Sequence, residues 1–171
     1  MWHLQNGVLD VLNPKVWVIV VGNNDLYETK CTDRFVLANI LNVIKAISEA
    51  KPGAILLIHG IMPRLDSADE KKGLFLGESW KRANSINTQI RQFIKKGQRG
   101  SMRYVNGGIK FLSQTGKDTR GRKQINPAFM ASGGRVPTVQ GMEVWSDFMA
   151  IKIRETIQLV RTTGKEDEEA T

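Results

Sequence analysis

Apolar positions along the chain fall into two patterns that alternate. The run Val16-Trp17-Val18-Ile19-Val20-Val21 follows Pro14-Lys15 and stops at Gly22. It is unbroken and rich in β-branched residues, which predicts a strand buried on both faces. Phe35, Val36, Ile40, Val43, Ile44 and Ile47 then recur at helical spacing, and the helix they predict ends before Pro52. The unit repeats. Ala54-Ile55-Leu56-Leu57-Ile58 reads as a second buried strand, entered through Lys51-Pro52-Gly53 and left through His59-Gly60-Ile61-Met62-Pro63-Arg64. Trp80, Ala83, Ile86, Ile90 and Phe93 follow at spacings of three and four, an amphipathic helix over 80–93. A weaker third strand is predicted over 101–105. The polar, Gly/Lys/Arg-rich stretch 113–123 has too few apolar residues to pack and reads as a loop. Trp145, Phe148, Met149, Ile151, Ile153, Ile157 and Val160 fit a long closing helix, with Ile151 and Ile153 awkwardly phased. Strands alternating with helices predict an α/β fold with a parallel sheet.

The chain of 171 residues is 41% hydrophobic and 25% charged, which suits a folded domain and excludes a disordered one. Without an internal repeat or linker, one domain is expected over 1–162, and the acidic end 163–171 reads as a disordered tail. The longest apolar run is far short of the roughly 20 residues that span a bilayer. The start of the sequence has neither a basic segment nor the apolar core of a secretion signal, so a cytoplasmic location is expected. One cysteine, Cys31, and two histidines, His3 and His59, give no metal-site spacing, and no cofactor is called for.

The net charge of +8 is uneven: Lys81 to Lys123 holds twelve Lys or Arg and one acid, a balance of +11 that leaves −3 elsewhere. Lys95, Lys96, Arg99, Arg120, Arg122 and Lys123 are its densest part. Such a patch could bind phosphates or an acidic partner. No nucleic-acid motif or aromatic stacking pattern accompanies it, and a solvated helix face with a basic loop is the alternative, so nucleic acid is not the expected partner. His59, at a strand end, is either a base or a structural side chain, and no serine or carboxylate partner is identifiable for it. Cys31 follows Lys30, which could lower its thiol pKa, or it is an ordinary loop cysteine.

Gly22-Asn23-Asn24-Asp25 stands at the C-terminal end of the first predicted strand, where parallel sheets place ligand sites. Around it lie Trp2 to Gly7, Asn13-Pro14-Lys15, Gly60 to Arg64, Asn84 and Asn87, and Pro137 to Trp145. Together these resemble the SGNH (GDSL-type) hydrolases, in particular the branch of platelet-activating-factor acetylhydrolase-like catalytic subunits, from about Trp2 to about Val160. The resemblance implies a three-layer α/β/α sandwich of flavodoxin-like type with sheet order 2-1-3-4-5, and carboxylic-ester hydrolysis without metal. It also implies that this chain lacks the first two βα units. In that family a serine attacks the ester carbonyl, and a histidine oriented by an aspartate three residues earlier activates it. The oxyanion is met in part by the asparagine of a Gly-x-Asn-Asp block, matched here by Gly22 and Asn24.

The other blocks do not carry over. There is no Gly-Asp-Ser, and none of the eight serines lies in a nucleophile-like turn. The family's Asp-x-x-His-Pro-Thr reads Gly133-Gly134-Arg135-Val136-Pro137-Thr138, which puts Gly133 and Val136 at the aspartate and histidine; anchoring on Met130 puts Ser132 and Arg135 there. Asn24 is therefore either an oxyanion donor or a polar residue closing a loop. The expectation is a pseudoenzyme, for which an ester would be a substrate only if activity survives. The alternatives are a binding module using the basic patch, or an esterase whose serine block comes from a longer product or a partner chain. Without a neighbour, Val16 to Val21 would be a bare sheet edge inviting a homodimer or a partner strand.

Overall fold

The three predicted strands form, in a computed structural model that describes residues 4–65, 74–97, 100–117, 123–131 and 134–169. They are Val16–Ile19 (β1), Ile55–His59 (β2) and Met102–Val105 (β3). They pair in parallel in the order β1-β2-β3, with Val16 opposite Ile55 and Ile19 opposite Ile58. On the other side Leu56 lies opposite Met102 and His59 opposite Val105. Parallel neighbours need long crossovers, and helices supply them. The helices are a short turn Leu9–Val11 (α1), Asn23–Tyr27 (α2), Asp33–Ala50 (α3), Glu78–Lys96 (α4) and Val139–Glu169 (α5).

Alternation along the strands sends successive side chains to opposite faces. Ile19, Leu56, Ile58 and Met102 meet Val36, Ile40, Ile44 and Ile47 of α3 and Ala83, Ile86 and Ile90 of α4 in the main core. Leu57 and Val105 point the other way, onto Met149 of α5, with Val16, Trp145, Phe148 and Ile153 around them. This is the expected three-layer sandwich. A smaller cluster of Leu65, Leu76, Phe111, Leu112, Ile125 and Met130 lies beside it.

Several expectations need correction. The first strand ends at Ile19, and Val18, Val20 and Val21 are exposed by 39%, 37% and 38%. A β-branched run is apolar whether or not something covers it, and among the described residues β1 has only β2 beside it. The helix predicted over 80–93 extends over Glu78–Lys96. The stretch read as a loop over 113–123 contains two strands, Leu112–Lys117 (β4) and Lys123–Ile125 (β5), paired antiparallel. Their buried ends, Leu112 and Ile125, drive the pairing despite the polar residues between. The backbone of the closing helix runs on to Glu169, through most of the stretch read as disordered. Lys and Glu are good helix formers, and extending an existing helix is far easier than nucleating one.

Candidate functional site

The C-terminal ends of β1 and β2 are where this topology places a ligand. After β1 the chain reverses at Gly22, whose φ of +97° favours glycine. A Cβ there would also meet Ile40 Cδ1 at 2.8 Å, so the residue is fixed by packing as well as by conformation. Asn23 and Asn24 open α2 and take different roles. Asn23 Nδ2 donates to the Met62 carbonyl and its Oδ1 accepts from Met62 N–H, both at 3.2 Å, tying the β1 loop to the β2 loop. The Tyr27 hydroxyl adds a bond to the same carbonyl at 3.3 Å. Asn24, the oxyanion candidate, is exposed.

The loop after β2 is held from below by Asn87 of α4, which is 1% exposed. Its Oδ1 accepts from Ile61 N–H at 2.7 Å and its Nδ2 donates to the Ile61 carbonyl at 2.9 Å. One amide thus satisfies both backbone groups of a buried residue. Asn84, also part of the family resemblance, is exposed one turn earlier. Arg64 pairs with Glu28 and stacks 5.8 Å from the centroid of the Tyr27 ring. The Arg64 guanidinium holds the Glu28 carboxyl below the usual carboxylate range, and Arg135 adds to the effect. An ion pair therefore joins the loop after β2 to the segment after α2, and a permanently charged guanidinium does not act as a base.

On the closing side, Gly133 and Ser132 lie outside the described residues. Val136 is there, with its side chain 57% exposed and its carbonyl accepting from Ala131 N–H at 2.8 Å. Thr138 explains the neighbouring Pro-Thr pair structurally. Its Oγ1 accepts from Gly141 N–H at 3.0 Å, capping α5, and donates to the Ala128 carbonyl at 2.7 Å. The described serines are Ser48, Ser79, Ser85, Ser101, Ser113 and Ser146, on helices, on β4 or before β3. None of them stands at the C-terminal end of β1, β2 or β3.

His59 is 2% exposed and fully engaged. Its Nδ1 is 2.6 Å from the Gly60 carbonyl, which can only accept, so Nδ1 carries the proton. Nε2 then accepts from the Trp145 indole N–H at 3.1 Å. Burial pushes the imidazole pKa down. With both nitrogens committed, His59 has no free lone pair with which to act as a base. Cys31 is half-buried, 3.1 Å from Thr29 Oγ1, and its carbonyl accepts from Arg82. Of the basic patch, Lys95 and Lys96 close α4, where cations complement the helix's negative end, and Lys123 lies exposed on β5. Arg99, Arg120 and Arg122 fall outside the described residues. No group of three or more metal-ligating side chains occurs among the described residues, and no described helix is long and apolar enough to cross a membrane.

Motif reading singled out the Gly22-to-Asp25 turn but missed the cross-loop tie made by Asn23 and the pairing of His59 with Trp145. Polar residues flanking Gly22 were the only signal for the first. The second joins residues 86 apart and had none.

No protein-family profile and no curated protein sequence matches the chain. Its fold is that of the SGNH-type hydrolases, as solved structures show. A protein from Bacteroides fragilis assigned as an acylhydrolase superposes with a TM-score of 0.69 at 16% identity, over 91% of this chain and 68% of that one. A peptidoglycan O-acetylesterase gives 0.65 at 16% identity, over 90% of this chain and 40% of its own. A family 3 carbohydrate esterase from Talaromyces cellulolyticus gives 0.62 at 15% identity, over 93% and 64%.

Proposed function

We propose that this chain is an SGNH-type ester-hydrolase domain that is catalytically silent as it stands. The observation that carries this reading is the make-up of the strand ends, where Asn24 is exposed and, among the described residues, has neither a serine nor a free imidazole to work with. A valine at position 136 accepts no proton. A serine hydroxyl without an adjacent base is a weak nucleophile. Removing triad members leaves only residual catalysis even where an oxyanion hole is intact.

The test is the initial rate on short acyl nitrophenyl esters, for the chain and for Asn24→Ala. Both are expected at the buffer background. A rate clearly above background that Asn24→Ala lowers by about 100-fold or more overturns the reading, because a recruited serine and base would then be using that oxyanion donor.

The outer edge of β1 favours a second reading, in which a further strand from a longer product or a partner chain completes the sheet. Val18 lies on the α5-facing side of β1 and is exposed, and Val20 just beyond the strand is exposed as well, with only Lys15 and Pro14 as edge protection. Natural edges are usually blunted by more than this. If the added strand carried a nucleophile, Asn24 would border it. The missing base at Val136 weighs against full activity even then.

A further inference from the structure

We propose that the His59–Trp145 pair is an acid-sensitive latch that holds the N-terminal half of α5 on the sheet and releases it when His59 takes up a proton. The geometry leaves no other response. Neutral His59 donates from Nδ1 to Gly60 and accepts at Nε2 from Trp145, whose indole N–H is 3.1 Å away. A second proton has to go on Nε2, which turns the acceptor into a donor facing a donor. The rings meet edge to face at 5.9 Å, and Gly107 packs so closely that a Cβ there would lie 2.5 Å from Nε2. The imidazolium therefore has no room to turn within the closed structure.

The charged groups on the elements around His59 include Arg103 of β3, Lys110 of the turn Gly107–Phe111, and Glu143, Asp147, Lys152, Arg154 and Glu155 of α5. None of them offsets the burial of the ring, and the only opposing influence is the Gly60 carbonyl. Release of α5 is easier than release of α3 or α4. Beneath α5 the buried cluster is Leu57, Val105 and Met149, whereas α3 and α4 share the main core. Opening would bare Leu57 and Val105 on that face of the sheet.

The sign follows from linkage. An open state with an ordinary imidazole takes up a proton near pH 6.5, and the closed state does so only at lower pH. The opening constant is therefore flat above that pH and rises as pH falls, by up to about tenfold per pH unit until the closed state also protonates. Hydrogen exchange on the full chain, corrected for intrinsic rates, reads this directly. Amides of residues 143–150 are expected to lose protection between pH 7.5 and pH 5 while those of α3 and β2 keep theirs. His59→Gln supplies an amide donor and acceptor that does not titrate, and should abolish the pH dependence.

Unchanged protection of residues 143–150 across that range, or the same loss in His59→Gln, overturns the proposal. If His59→Gln does not fold, NMR of the unmodified chain decides. The Trp145 indole N–H must change in step with His59 protonation. Protonation without that change, or opening while His59 stays neutral, is fatal to the latch.

Discussion

Asn87→Ala is expected to lower the unfolding free energy by about 2–6 kcal/mol, the range for leaving two buried backbone groups unsatisfied at roughly 1–3 kcal/mol each. The side chain is buried and bonds both the N–H and the carbonyl of Ile61, itself 0% exposed. Truncation leaves both groups inside the protein without a partner, and the methyl of alanine replaces neither. Asn87→Asp should fail too, since the oxygen replacing Nδ2 would face the Ile61 carbonyl. Urea unfolding measures the effect, with Asn84→Ala as the control on the exposed side of the same helix. The control should stay within about 0.5 kcal/mol. Equal effects for Asn84 and Asn87 would mean that the loop after β2 does not depend on this clamp.

Gly141→Ala is expected to destabilise by about 3 kcal/mol, at the upper end for overpacking, against the usual sign for such a change. In an open helix interior, alanine is favoured over glycine by about 1 kcal/mol. Here a Cβ would overlap the Phe129 carbonyl oxygen and approach its carbon at 2.9 Å and its Cα at 3.1 Å. These are backbone atoms, and that carbonyl already accepts from Thr138 N–H at 3.0 Å, so it cannot move without breaking the start of α5. Thermal or urea unfolding decides the sign. Gly53→Ala is the contrast, because nothing lies within 4 Å of its added methyl. It should be neutral or gain up to about 1 kcal/mol.

The two kinds of apolar pattern carried most of the fold. Ile55 to Ile58 is apolar on both faces because helices cover both, and the periodic residues of α3 and α4 are those that meet beneath it. The end of β1 was illegible for the same reason that its start was clear. Val20 and Val21 look like their neighbours, and only the absence of a second partner strand among the described residues distinguishes them. The β4–β5 hairpin was missed because Leu112 and Ile125 are its apolar ends and the sequence between them is polar, leaving no alternation to read.

At the site, the motif located the turn correctly but could not separate two adjacent asparagines. Rotation of one residue along α2 sends Asn23 to Met62 and Asn24 to solvent. His59 looked equally suited to catalysis or structure until Trp145, far along the chain, accounted for its second nitrogen.

The reading in which a further strand completes the sheet depends on β1 having one neighbour, with its outer edge open. Sedimentation velocity over a range of concentrations, for the chain and for Val18→Lys, tests that edge directly. The account predicts concentration-dependent association of the unmodified chain, and a folded Val18→Lys variant that associates less, because a charge on an exposed edge blocks strand pairing. An unmodified chain that stays monomeric throughout, together with a Val18→Lys variant that unfolds, would show that another segment covers β1 and would contradict the open-edge account.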